Sequence, residues 1–412
     1  MLEPLPELAT RRIVIGTTVR KSKPILEAYL TSLDWQELPP RTELLYCFVA
    51  DFGKPNTEAE QYLREWVQSR SGVVLHAGPT ATADFTDLHP VTHQWTENAM
   101  HRVGRNKNRI IKYALDQKAD AVFFADADLI MDRTTLWSLL HIRNPVTCAV
   151  YWTKWQRSPT PELVVHAGPQ VWLQHPYILS GRGYEEGEFR RKLITRQAIQ
   201  VWGQGACSLI QRKVFEAGVD FSPQPEVPQQ GLMAGEDRQF CIACERKHIP
   251  MAADAWPDIY HIYHLPDDEA HIPAMLERLG QQHPSQPLPG DLVSLTLEAL
   301  EGVPQPTGPQ AIIGPQFIRG RLGALPLLPE LDDAILSMPR GTDRIVSVHY
   351  PIHHPVVQLR GSKRLIRVTL VDCKPYGFAP VIEEELYFGR GGAWHDATQL
   401  TDRQHESILA TT

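Results

Sequence analysis

The sequence predicts an α/β protein: a mainly parallel sheet flanked by helices, with a small β-rich unit at the C-terminal end. Three observations carry this. From Arg12 to Phe124, short apolar runs alternate with stretches of helical spacing. The runs are apolar throughout rather than at every second residue, so both faces of each strand must be buried, as in a parallel sheet covered by helices. Beyond a Pro-rich stretch at 284–315, the pattern becomes strand-length runs separated by Gly and Pro turns.

Residues 12–18, RIVIGTT, form the first strand and end in small residues. Helical spacing follows over 23–33, with Ile25, Leu26, Tyr29, Leu30 and Leu33 on one side. The run LLYCFV at 44–49 is a second buried strand that stops before Asp51. An amphipathic helix is expected over 57–69, a strand over 73–75, a helix over 106–117 and a strand over 121–124. The order is less regular from 151 to 253. Within it, 184–192 and 223–230 read as loops, 214–219 is too short to assign, and 236–247 is a helix. The Pro-rich stretch carries one helical piece, 292–300. Strands are expected at 345–349, 365–371 and 381–388. The expected organisation is a domain over 1–275, a Pro-rich linker with a helix over 276–330, and the β-rich unit over 331–412.

A chain of 412 residues has room for two or three domains. No apolar run is long enough to span a membrane, and the N-terminal MLEPLPELATRR lacks the apolar core of a secretory signal. The net charge of −7 argues against nucleic acid as a partner. Six scattered cysteines do not make a disulfide framework, so a cytoplasmic location is expected.

In open parallel sheets, ligands bind beyond the carboxyl ends of the strands. Those ends carry Thr17, Asp51 and Asp126. Asp126-Ala127-Asp128 directly follows AVFFA. Two carboxylates at this spacing can approach one divalent cation, Mn²⁺ or Mg²⁺, which prefers oxygen ligands; a solvated turn is the alternative. Gly235-Glu236-Asp237 opens a helix. These carboxylates either favour the helix N-terminus or provide a general base for a hydroxyl. His261 and His264 lie in DIYHIYH, one a candidate metal ligand and the other structural. Cys241 and Cys244 fall inside a helix with no second pair and read as buried small residues. A histidine group at 349, 353 and 354, and the basic segment 360–367, read as surface or packing features.

In this order the features resemble the metal-dependent, nucleotide-sugar-using glycosyltransferases of the GT-A fold, most closely their large inverting family. The matching residues are the strand RIVIGTT, Asp51, the helix start Arg105-Asn106-x-x-Arg109, Asp126-Ala127-Asp128, Gly203-Gln204-Gly205, Gly235-Glu236-Asp237 and His264. Lys107 and Asn108 depart from the small residues often found in the Arg-Asn motif. The resemblance covers about residues 11–270 and implies a GT-A (Rossmann-like) sheet. It implies a UDP- or GDP-linked sugar as donor and a hydroxyl acceptor. It places the metal on Asp128 and His264, with Asp126 on the ribose, the sugar or the metal. Thr17, Asp51, Arg105, Gly203 and Gly205 would bind the donor. Asp237 would be the base, with Glu236 as its neighbouring candidate.

Two other functions fit an α/β sheet with acidic strand ends. A nucleotidyltransferase would show a Gly-rich phosphate loop after the first strand, and Gly16-Thr17-Thr18-Val19-Arg20 lacks the repetition. A non-catalytic sugar- or partner-binding protein would not need Asp126, Asp128 and Asp237 together.

Overall fold

The structure is a computed structural model and describes residues 11–52, 57–77, 97–142, 144–156, 165–172, 196, 198–225, 235–262, 270–288, 291–299, 316–322, 329–349, 363–374, 387–388 and 394–395. The chain separates into two compact units. The first comprises Met1–Lys192, Ala198–Gln281 and Val381–Thr412; the second comprises Leu193–Gln197 and Gln282–Pro380.

The first unit opens with β1 (Arg11–Val19), α1 (Lys23–Asp34), β2 (Thr42–Ala50), α2 (Glu58–Gln68), β3 (Gly72–His76), α3 (Glu97–Asp116) and β4 (Ala121–Phe124). Then come β5 (Leu129–Met131), α4 (Thr135–His141), β6 (Val146–Ala149), β7 (Trp152–Gln156), β8 (Val165–Pro169) and β9 (Val171–Trp172). They are followed by β10 (Ala198–Val201), β11 (Gly203–Gln204), β12 (Ser208–Gln211), α5 (Arg212–Glu216), α6 (Glu236–Arg246), β13 (Met251–Asp254), β14 (Ile259–His261) and α7 (Ile272–Leu279).

Among the described residues, the central sheet has eight strands in the order β10-β13-β6-β12-β4-β1-β2-β3. The pairs β1–β2, β2–β3, β1–β4 and β13–β6 are parallel. Only β12 and the edge strand β10 run the other way. The α/β class with a mainly parallel sheet is therefore as the sequence led us to expect. The order reverses at β1, with β2 on one side and β4 on the other. That reversal opens a crevice at the carboxyl ends of β1 and β4.

Each helix forms for a local reason and buries the face its spacing provides. In α1, Pro24 sits in the first turn, where a missing N–H costs nothing. Ile25, Leu26, Tyr29, Leu30 and Leu33 are buried. In α2, the Thr57 side chain accepts from Glu60 N at 3.1 Å and caps the helix. These two helices cover Ile13, Ile15 and Phe48 on one sheet face. On the other face α3 packs so close to β1 that a Cβ on Gly16 would meet Ile110 Cγ2 at 2.5 Å. Burying each such large side chain stabilises the fold by about 1.5–3 kcal/mol.

Two expectations need correcting. The helix expected over 106–117 begins at Glu97, so Arg105 and Asn106 lie inside α3 and not at its start. Within this helix Gly104 is required: a Cβ would lie 2.5 Å from the Phe221 carbonyl oxygen. The piece expected to be helical, 292–300, is the strand β15 (Leu292–Ala299). Its apolar residues Val293, Leu295 and Leu297 alternate, the period of a half-buried strand. The irregular region also supplies three four-residue strands of the central sheet, β10, β12 and β13, and a separate two-residue pair, β9 with β11.

In the second unit, β15 pairs with β16 (Gln316–Arg321) and β18 (Lys363–Lys374), and β18 pairs with β17 (Asp343–His349), all antiparallel. The helix α8 (Pro329–Leu336) covers one face through Leu331 and Ile335. A further pair, β19 (Tyr387–Phe388) and β20 (Trp394–His395), is described near the C-terminal end. The remainder of the strand expected over 381–388, the loop 184–192, and His353 and His354 lie outside the described residues. No described helix is long and apolar enough to cross a membrane.

Candidate active site

The site is built at the carboxyl ends of β1 and β4. After Phe124 the chain turns through Asp126, Ala127 and Asp128 and continues as β5. Strand β5 pairs antiparallel with β14, opposing His261 to Leu129. This pairing brings the 258–261 segment against Asp128 from far along the chain. His261 Nε2 lies 3.5 Å from Asp128 Oδ2, and Ile262 N donates to the Asp128 carbonyl at 2.8 Å. His261 Nδ1 is 3.1 Å from Thr153 Oγ1, and the Tyr151 ring meets the imidazole edge-on at 5.5 Å. Lys21, just past β1, places its ammonium 2.6 Å from the same Oδ2. Burial would raise the Asp128 pKa, but Lys21 and His261 outweigh it and hold the carboxyl well below its usual range. The second oxygen, Asp128 Oδ1, is buried without a hydrogen-bond partner among the described residues.

A second carboxylate pair approaches from α6. Lys107 on α3 is buried and donates to Glu236 Oε1 and Asp237 Oδ1, both at 2.7 Å. Its ammonium also lies 4.9 Å from the Phe221 ring centroid. Burial pulls the Lys107 ammonium down, yet Asp237 and Glu236 together leave it raised. Burial pushes Glu236 up to about 7, against the pull of Lys107. Asp126 is pushed up to about 6, again by burial first; Lys107 and His261 oppose this, while Asp128 and Asp237 add to it. Asp126, Asp128, Lys107, Glu236 and Asp237 thus form one electrostatic cluster. Glu236 is buried within it and Asp237 is the more open of the two, with its side chain 24% exposed.

The remaining sequence candidates sit differently. Thr17 is buried, and its hydroxyl is engaged by Tyr29 and by the Ala125 carbonyl at 2.9 Å, tying β1 to the turn after β4. Asp51 is buried, and both its oxygens are gripped by Arg102, Nε lying 3.0 and 2.8 Å from them. Arg105 is exposed on α3. A Cβ on Gly203 would lie 2.7 Å from the Trp172 ring, and one on Gly205 would lie 2.9 Å from the Tyr151 hydroxyl. The close approach these glycines permit is therefore to Trp172 and Tyr151. His264 lies outside the described residues. Cys241 and Cys244 are buried free thiols, as the helix reading required.

Sequence reasoning missed Lys21, Arg102 and the part played by Lys107. A signal for Lys107 exists. Met100, Gly104, Lys107 and Ile111 share helical spacing, and Met100, Gly104 and Ile111 mark a packed face. A lysine on such a face must find a buried carboxylate. Asn108, the other departure from the family pattern, accepts from Phe221 N at 2.8 Å and donates to Ser222 Oγ at 3.1 Å.

A divalent cation would need several ligands. Among the described residues no three His, Cys, Asp or Glu side chains come together to hold one. The unpartnered Asp128 Oδ1, with His261 beside the same carboxylate, nevertheless provides the oxygen and nitrogen donors that Mn²⁺ accepts.

No family model and no curated protein matches the chain. Among solved structures, S. aureus TarS 1-349 is similar, with 12% identity over 59% of this chain and 57% of that one, at a TM-score of 0.34. The same protein in complex with UDP gives 14%, 66%, 67% and 0.33. The mannosyltransferase PcManGT from Pyrobaculum calidifontis, in complex with GDP-Man and Mn²⁺, gives 12%, 60%, 59% and 0.32. The chain thus spans 57% of the length of the first of these. Similarity at this level decides neither fold family nor activity.

Proposed function

We propose that the protein is an inverting glycosyltransferase of the GT-A type. It would move a sugar from a UDP- or GDP-linked donor to an acceptor hydroxyl, with Mn²⁺ or Mg²⁺ and with Asp237 as base. The observation that carries this reading is the meeting of two carboxylate pairs, 126–128 and 236–237, where the parallel sheet opens. The ordered motifs of the sequence support the same assignment.

Asp237 takes the proton of the acceptor hydroxyl as its oxygen attacks the anomeric carbon; the bond to the nucleoside diphosphate breaks, and the diphosphate leaves with the electron pair. Lys107 holds Oδ1 of Asp237 and so orients the carboxylate. Glu236, buried beneath, shares that lysine rather than facing the acceptor. Asp128 would hold the cation together with an imidazole of the 258–264 segment, and His261 is the one described beside it. When bound, the cation would neutralise charge on the leaving diphosphate. Asp126 would contact the ribose, the sugar or the cation. Asp51, held by Arg102, and Arg105 stand on the donor side as proposed contacts. Six buried free thiols fit a reducing, cytoplasmic setting.

The test is release of UDP or GDP from sugar nucleotides with and without Mn²⁺, in the wild type, Asp237→Asn and Glu236→Gln. With an acceptor, Asp237→Asn should lower transfer by about 10²–10⁴-fold, the usual weight of a general base, and keep donor binding. An inactive Glu236→Gln beside an active Asp237→Asn would move the base by one residue. Release of pyrophosphate from a nucleoside triphosphate supplied with a sugar 1-phosphate would instead identify a nucleotidyltransferase, and no turnover with either substrate set a binding protein.

A further inference from the structure

Lys21 lies two residues beyond the end of β1. Its ammonium is 2.6 Å from Oδ2 of Asp128, and both side chains are largely buried. Oδ1 of the same carboxylate is buried and has no hydrogen-bond partner among the described residues. The carboxylate assigned above to a divalent cation therefore already carries a cation of the chain's own. A lysine ammonium is a point charge on a flexible stem and can leave an oxygen without moving the backbone. In a site this poorly hydrated, two positive charges on one carboxylate repel with little screening, even when each faces its own oxygen.

We propose that Lys21 and a divalent cation are alternative occupants of Asp128, so that the metal binds by displacing Lys21. The proposal rests on the metal assignment of the preceding subsection. It makes Lys21 a positioning residue that sets the affinity of the site for metal.

The test is Mn²⁺ binding to the full chain without nucleotide, read from the electron paramagnetic resonance of free Mn²⁺. Lys21→Met should bind Mn²⁺ about 100- to 1,000-fold more tightly than the wild type, the scale of breaking a buried ion pair. Lys21→Arg keeps the charge and adds a forked grip on the carboxylate, so it should bind no more tightly than the wild type. In chelator, Lys21→Met should melt below the wild type, because Asp128 is then unpaired. Mn²⁺ should raise its melting temperature by more than it raises that of the wild type. Equal or weaker Mn²⁺ affinity in Lys21→Met overturns the proposal, as does an equal Mn²⁺ shift in the two melts. Asp128→Asn separates this failure from that of the metal assignment. If it abolishes Mn²⁺ binding while Lys21→Met changes nothing, the assignment stands and the competition falls. If neither the wild type nor Lys21→Met binds Mn²⁺, both fall. Should Lys21→Met not fold, Lys21→Gln removes the charge, keeps a hydrogen-bond donor and is read in the same way.

Discussion

Replacing Lys107 with Met removes the cation that joins Glu236 to Asp237, and its cost should depend on pH. Lys107 and Glu236 are both buried, with side chains 4% and 5% exposed. Breaking a buried ion pair by deleting one partner costs about 3–5 kcal/mol, because the other charge is stranded. Above neutral pH, Glu236 is ionised in the wild type and this full penalty applies. Near pH 5 it carries a proton, since burial has pushed it up to about 7. Only the Asp237 pair is then lost. Asp237 is 24% exposed, and water offsets part of its loss, leaving about 1 kcal/mol. The sign follows from linkage. A carboxyl raised in the folded state contributes stability that is complete below its unfolded value of 4.5 and is lost as pH rises through about 7. Removing Lys107 raises that carboxyl further, so the variant should lose stability more steeply than the wild type between about pH 5 and pH 8. Urea unfolding followed by tryptophan fluorescence measures this in the right unit, because none of the ten tryptophans falls within 193–197 or 282–380. A destabilisation that is equal at both pH values, or absent, would refute the argument.

Two further outcomes follow from packing. Gly104→Ala places a methyl group 2.5 Å from the Phe221 carbonyl oxygen and 3.6 Å from Glu236 Cβ. The helix gains from alanine, but overpacking against backbone should leave a net loss of about 1–2 kcal/mol, read in the same urea titration. The six cysteines are all buried, and burial pushes Cys47, Cys241 and Cys373 up to about 12. A chromogenic disulfide reagent should therefore find no fast thiol in the native chain and six in denaturant; a rapid native reaction would contradict this burial.

The alternation of apolar runs and helical spacing determined the parallel block β1 to β4, because strands buried on both faces and amphipathic helices are local patterns that admit one arrangement. The same holds for the amphipathic helix expected over 57–69 and for the buried cysteines of α6. Asp126, Asp128, Glu236 and Asp237 were visible as residues of the right type at a strand end and a helix start. What the sequence did not contain was their partners. Lys21 reaches Asp128 only because β1 and β4 are neighbours in the sheet. His261 reaches it only because β14 pairs with β5, in a register no local pattern specifies. The short strands β6, β10, β12 and β13 are invisible to periodicity, since four residues cannot separate strand from loop, and pairing with neighbours is what defines them. The strand at 292–299 was mistaken for a helix because its apolar spacing suits either period until β16 and β18 supply hydrogen bonds on both sides. Lys107, legible only as a departure from a motif, became the centre of the site because α3 and α6 approach closely enough at Gly104 for one ammonium to meet two carboxylates.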